Sequence, residues 1–339
     1  MRNFWNNWIE FPDSAIGWYP YALTEALAYL RQNPVDVIFS TALPMTSHLV
    51  ANSLSKRTGI PWVADFRDLW SQADYRDVNK LRKMIDSWLE VRTVKSASAL
   101  ITVSEPHMED LLHLHKTFTT KNFVIYNGYD AEDYPESEMP VNRPFTITYT
   151  GRMYDIDFSS KGRTPLILFQ SIAALFRGKH IPSDRLQCLI YGEHPHELIE
   201  MIAAHGLTKT VKCLGAVPFR EAVKAQQQAD VLLHLNWNDA DQKGILSGKI
   251  FEYLGAKKNI LSIPFDNKGV GDILRSTQSG VILNNVEACK EQIWRWFQDF
   301  EAHGAIPYHG IPAILDHYSR KKATEQLAAI LNQVSQAKG

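Results

Sequence analysis

The chain has 339 residues, with 45% hydrophobic and 22% charged side chains and a formal net charge of −1. That length exceeds what one hydrophobic core usually serves, so two domains are expected. The near-neutral balance excludes nucleic acid as the main partner, because phosphate-backbone binders carry a basic excess.

Cys188, Cys213 and Cys289 are odd in number and widely spaced, which suggests neither a disulfide framework nor a zinc site. Three buried thiols in a reducing compartment are expected. The opening residues MRNFWNNWIEFPD lack the charged-then-apolar order of a secretion signal. No apolar run reaches the ~20 residues of a membrane helix. The expected location is the cytoplasm, with peripheral membrane contact left open.

Trp5, Trp8 and Trp18 crowd the start, where no strong strand precedes them. Trp18 is expected to pack against the first sheet. Residues 37–40 read as a buried strand, followed by a helix to Lys56, a second strand at 61–65, a long polar helix, and further strands at 99–103 and 123–126. Apolar strands without alternation, each followed by a helix, predict a parallel sheet covered on both faces. The acidic stretch 130–143 contains Pro135 and Pro140 and reads as a linker.

The pattern then restarts with a strand at 145–149 and a helix at 166–177. Strand 187–191, helix 197–205, strand 211–214, helix 220–228, strand 230–235, helix 249–256 and strand 259–263 follow in turn. Two doubly wound α/β domains in series are predicted, at 1–135 and 136–318, with a helix at 319–339 that could return to the first. Two such domains would face each other across a cleft at the carboxyl ends of their strands. Trp294, Trp296 and Phe297 recur at helical spacing and read as packing residues.

The strongest chemical signal is the stretch 244–256. Ser247 is a good helix N-cap, and Gly248 and Lys249 open the helix behind it. A helix start offers unpaired N–H groups, small residues let a phosphate approach, and Lys249 adds a full charge. Glu252 follows three residues later on the same side, where a carboxylate can accept from the two hydroxyls of a ribose. A capped surface helix with a Lys–Glu pair has the same pattern.

Gly151 and Arg152 directly follow strand 145–149, at the edge where ligands bind. Lys161 and Arg163 add two cations, and Gly192 closes another strand end. A basic surface loop is the plainer reading of 159–163. In the first half, Asp65, Arg67 and Asp68 follow a buried strand. The two carboxylates could accept from an acceptor hydroxyl while Arg67 orients them; a salt-bridged turn is the alternative. Ser104 reads equally as a plain N-cap, and His48 and His107 as structural.

Together these strings resemble the family 4, or group 1, glycosyltransferases. The matching pieces are 36–40, 59–70 (including Ala64-Asp65-Phe66-Arg67-Asp68-Leu69-Trp70), 101–105, 125–130, 149–152 and 247–254. The resemblance spans nearly the whole chain. It implies the GT-B fold, two Rossmann-like domains across a cleft, and transfer of a sugar from a nucleotide sugar with retention and without a metal or other cofactor.

By the same resemblance, Arg152 with Lys161 or Arg163 holds the diphosphate, the helix start from Ser247 to Lys249 lies beneath the phosphates, and Glu252 holds the ribose. Many members carry a second Glu eight positions before the ribose Glu, where this chain has Gly244. Members also open with a strand and a Gly-rich loop that this chain lacks. The first domain is thus expected to be incomplete, with a place for a partner chain supplying those units. The expected acceptor is a glycan or lipid-linked glycan. A nucleotide-sugar 2-epimerase and a non-catalytic nucleotide-sugar-binding subunit are the alternatives.

Overall fold

Runs of apolar residues that do not alternate form strands buried on both faces, and such strands build both halves of this protein. The computed structural model describes residues 10–72, 79–114, 121–153, 163–236, 246–264 and 269–336. The chain divides into two units, one of Met1–Tyr126 with Ala323–Gly339 and one of Asn127–Lys322.

The first unit has strands β1 (Ile38–Ala42), β2 (Trp62–Phe66), β3 (Ala99–Thr102) and β4 (Lys121–Val124), all parallel and adjacent in that order. Its helices are α1 (Tyr19–Gln32), α2 (Thr46–Thr58), α3 (Lys80–Val94) and α4 (Glu105–Leu114). Gly59 ends α2 in the left-handed region, at φ 72°, and its N–H reaches the Ser55 carbonyl at 2.8 Å. Strand parity sorts the core into two layers. Trp62, Ala64, Phe66 and Leu100 pack with Met45, Ala51, Val94 and Leu111. Val63, Ala99 and Ile101 pack with Ile330 and Val334 of the terminal helix Arg320–Gln336.

Trp18 departs from expectation: it is 54% exposed rather than packed on the sheet. It ends the short 3-10 turn Ser14–Trp18, ahead of α1. The inward stripe of α1 is supplied instead by Leu23, Ala26, Leu27 and Leu30, against Val50 and Leu54 of α2.

The second unit has strands β5 (Phe145–Thr150), β6 (Leu186–Tyr191), β7 (Val211–Gly215), β8 (Val231–Leu235), β9 (Asn259–Ile263) and β10 (Gly280–Ile282). They lie parallel in the order β10-β9-β8-β5-β6-β7, so the winding reverses between β5 and β8. Its helices include α5 (Leu166–Arg177), α6 (His196–Ala204), α7 (Phe219–Gln227), α8 (Gly248–Ala256), α9 (Gly269–Thr277) and α10 (Val286–His303), and the short helix Pro312–His317 follows them.

Trp296 and Phe297 of α10 join the core around Phe145, and Trp294 stacks on Phe297 with ring centres 6.0 Å apart. Cys188 and Cys289 are buried free thiols. Cys213 is only half-buried, against expectation, because β7 is the edge strand of its sheet. Among the described residues no helix is long and apolar enough to cross a membrane.

Candidate functional site

The end of β5 is fixed by side chains that arrive from two helices. The backbone N–H of Thr150 donates to the hydroxyl of buried Tyr253 on α8 at 3.1 Å. Gln226 of α7 is fully buried; its Nε2 donates to Thr150 Oγ1 at 2.9 Å and to Glu252 Oε2 at 3.2 Å. One amide thus ties a strand end to the carboxylate of the neighbouring helix. Its own Oε1 is buried without a hydrogen-bond partner among the described residues.

Two glycines continue the ladder past the strand ends. Gly151 (φ 127°) donates to the Tyr191 carbonyl at 2.8 Å, and Gly192 (φ 120°) to the Gly215 carbonyl at 2.6 Å. Both conformations favour glycine. A Cβ on Gly192 would land inside the Gly151 carbonyl, and one on Gly151 would strike the Lys249 side chain. The Lys249 stem therefore lies across Gly151, with Nζ 5.6 Å from the centre of the Tyr149 ring. Burial pushes the Lys249 ammonium pKa down, and the nearby Arg163 charge does so further, while Glu252 acts the other way.

Gly151, Arg152, Gly192, Lys249 and Glu252 line one cavity of about 370 Å³. Its other walls are Thr150, Tyr191, Glu193, Ala216, Val217, Phe219 and Ala222. Arg152 is largely exposed, with Nε 3.7 Å from Glu193 Oε2, a loose pair held in solvent. Ser247 occupies the N-cap position of α8 in extended backbone, yet its hydroxyl makes no cap bond. It meets His234 Nε2 at 3.3 Å instead. Among the described residues, a Cβ on Gly248 would meet nothing within 4 Å.

His234 and Gln226 are absent from the sequence-based site. His234 Nδ1 contacts Ser262 Oγ at 3.0 Å, and Asn236 donates to the same oxygen at 2.8 Å. Burial first, then the charges of Arg163 and Lys249, lower the His234 pKa to about 3, so the ring is neutral. A histidine inside the apolar run Val231-Leu232-Leu233-His234-Leu235 is the one local signal that could have found it. Lys161 and Gly244 lie outside the described residues.

The second unit also has a larger hollow of about 1030 Å³, between residues 132–141 and α7. Its walls carry four acids, Glu132, Asp133, Glu136 and Glu138, against two cations, Arg220 and Lys224.

In the first unit, Asp65 is 3% exposed. Its Oδ2 accepts from Arg67 Nε at 2.9 Å and from Thr41 Oγ1 at 3.1 Å. Oδ1 is buried without a hydrogen-bond partner among the described residues. Burial raises the Asp65 pKa against the opposing pull of Arg67. Arg67 Nη1 also donates to the Ile125 carbonyl at 2.9 Å, which fixes the fork. Asp68 is half-buried, and its charge is felt by His107, whose pKa burial lowers. Ser104 accepts from the His107 N–H at 3.3 Å and so caps α4. His48 is buried and bonded to Ser40 Oγ at 2.8 Å, a structural histidine.

Residues 7–133 match the model described as Glycosyltransferase Family 4. HepE from Anabaena, solved with UDP, is similar in structure with a TM-score of 0.67 at 15% identity, over 92% of this chain and 82% of that one. A glycosyltransferase from Rickettsia africae gives 0.65 at 17% identity, over 93% and 80%. The sucrose-phosphate synthase of Thermosynechococcus elongatus gives 0.63 at 14% identity, over 95% and 79%. A search of curated proteins by sequence finds no match. Likeness at such identities speaks for the fold, two Rossmann-like units of the GT-B kind, while the matched model covers the first unit. On these grounds residues 7–133 match the family 4 glycosyltransferase model, and the chain has a fold like that of GT-B glycosyltransferases.

Proposed function

We propose that the second unit binds a nucleotide sugar and that the chain transfers its sugar to a glycan or lipid-linked acceptor, with retention and without a metal. The observation that carries this reading is the 370 Å³ cavity, where a helix start, a lysine and a tethered carboxylate meet two glycine-only strand ends. HepE, of similar fold, has been solved with UDP and with UDP-glucose.

In this reading Arg152, Lys161, Arg163 and Lys249 take the diphosphate, with Ser247 and Gly248 at the start of α8 beneath it. Gly151 and Gly192 let it come close, and Glu252, held by Gln226, accepts from the ribose hydroxyls. Cleavage of the sugar–phosphate bond develops negative charge on the leaving diphosphate. Fixed cations and helix N–H groups stabilise that charge more in the transition state than in the bound donor. Asp65 and Asp68 accept from the acceptor hydroxyl, and Arg67 orients them.

Thermal stabilisation by a panel of nucleoside diphosphates and their sugars tests the donor site, since any ligand of the folded state raises its stability. One nucleotide should give a shift that Glu252→Ala and Arg152→Ala each reduce, with affinity down roughly tenfold per variant. No shift from well-folded protein, or a shift indifferent to both variants, would remove the donor site from this cavity.

A further inference from the structure

His234 is the one polar residue of β8. Val231, Leu233 and Leu235 face the core around Phe145, so strand parity turns His234 to the other side of the sheet. Its partner in register on β9 is Ser262, which is fully buried, and Asn236, buried just past the strand, reaches the same serine. Three contacts lead from there to the start of α8. Asn236 Nδ2 donates to Ser262 Oγ at 2.8 Å, Ser262 Oγ meets His234 Nδ1 at 3.0 Å, and His234 Nε2 meets Ser247 Oγ at 3.3 Å.

The direction of these bonds follows from the protons each group owns. The ring is neutral, because burial first and then the charges of Arg163 and Lys249 lower its pKa to about 3, and so it has a single N–H. Among the described residues Ser262 Oγ meets Asn236 Nδ2 and His234 Nδ1, and only the ring nitrogen can accept its proton. The imidazole proton is then at Nε2, facing Ser247 Oγ. Ser247 accepts from the ring and keeps its own proton for another group. That hydroxyl makes no cap bond, although the half-buried residue stands at the N-cap of α8.

We propose that His234 is a positioning residue of the donor site, whose Nε2–H makes the Ser247 hydroxyl a proton donor toward the diphosphate. This role rests on the diphosphate reading of the site and adds a neutral, directed donor to its cations. A serine free to rotate would cap α8 and spend its lone pairs on the helix N–H groups. Held by the buried relay from Asn236 through Ser262 and His234, the hydroxyl is oriented before the donor arrives. It then needs no reorganisation as negative charge develops on the leaving group.

One test needs no ligand: long-range proton–nitrogen correlation spectra of the imidazole rings in the full chain, with the His234 signals identified by their loss in His234→Gln. Nε2 should be the protonated nitrogen, and a proton on Nδ1 overturns the proposal. The other is calorimetric titration with UDP, GDP, ADP and dTDP in turn, pursued with the tightest binder. Ser247→Ala should weaken binding roughly tenfold, the cost of one hydrogen bond to a charged group. His234→Leu should weaken it by a similar factor and the double variant no further. His234→Gln keeps a donor at the Nε2 position and should stay within about threefold of wild type. Additive losses, or affinity indifferent to Ser247→Ala, overturn the proposal and leave the donor site standing. Failure of every nucleotide to bind removes the donor-site reading and this role with it. If thermal midpoints show that His234→Leu does not fold, the tautomer of the wild-type ring and Ser247→Ala still decide.

Discussion

Both units end their parallel strands in polar residues, but the two sets have different surroundings. In the first unit Ser40 is held between His48 and the indole of Trp62, at 2.8 and 2.7 Å, and Asp65 is clasped by Arg67 and Thr41. Ser40, His48, Trp62 and Asp65 are buried, and most of their polar atoms are bonded to one another or to Arg67 and Thr41. In the second unit Arg152, Lys249 and Glu252 are at least partly exposed and line a common cavity. Strand-end polarity alone therefore does not distinguish a packing motif from a binding site. What distinguishes them is whether the polar side chains stay accessible around a common cavity.

The most severe test of this contrast is Gly192→Ala. Its Cβ would meet backbone rather than a flexible side chain, and φ is positive. A loss of about 3 kcal/mol or more in unfolding free energy is expected by urea titration. A milder loss would mean that the strand ends around the cavity can yield.

Asp65→Asn asks whether the first unit is wholly structural. If the unpartnered Oδ1 serves the acceptor, turnover should fall roughly hundredfold while the nucleotide-induced thermal shift stays unchanged. A change in stability alone would place Asp65 with Ser40 among the packing groups.

Acid should weaken both units alike. His48 and His234, one in each, have folded pKa values of about 3, against 6.5 for an unburied ring. The unfolded chain takes up these protons first, so stability is full above about pH 6.5 and falls as pH drops toward 3. Each ring should cost about 2 kcal/mol between pH 7 and 5, read from urea midpoints. A variant with either histidine replaced by Gln should show a flatter pH dependence.

The smallest expected change is also diagnostic. Gly248→Ala puts a good helix former where a Cβ meets nothing among the described residues, so stability should rise by up to about 0.5 kcal/mol. Nucleotide affinity should drop at the same time, since the methyl group stands at the helix start where the proposed diphosphate approaches. Equal affinity would mean that no ligand approaches the start of α8.

Much of the architecture was legible because doubly buried strands advertise themselves as unbroken apolar runs. The helix at 166–177 and the strand at 259–263 coincide with the observed elements, and most others agree to within two residues. Helix α1 went unrecognised: Trp18, Tyr21 and Tyr29 around it face solvent and blur its inward leucine stripe. Gly151, Arg152, Gly192, Lys249 and Glu252 were legible as strand-end and helix-start residues, and the fold gathers them around one cavity. Gln226 was not, because its partners Thr150 and Glu252 lie 76 and 26 residues away. Nothing local marks a buried amide that serves two distant groups. Ser247 shows the converse, a good cap by residue type whose hydroxyl is drawn to His234 by the tertiary fold.

The terminal helix has a consequence for the order in which the molecule is made. Val63, Ala99 and Ile101 in the first sheet bury one face against Ile330 and Val334. During synthesis the first unit emerges from the ribosome before the second, yet that face stays bare until residues 323–336 have followed. The second unit, contiguous from Asn127 to Lys322, can close while the first still waits. The half of the chain translated first is thus the half completed last, and the uncovered face of its sheet is what a chaperone would meet in the interval.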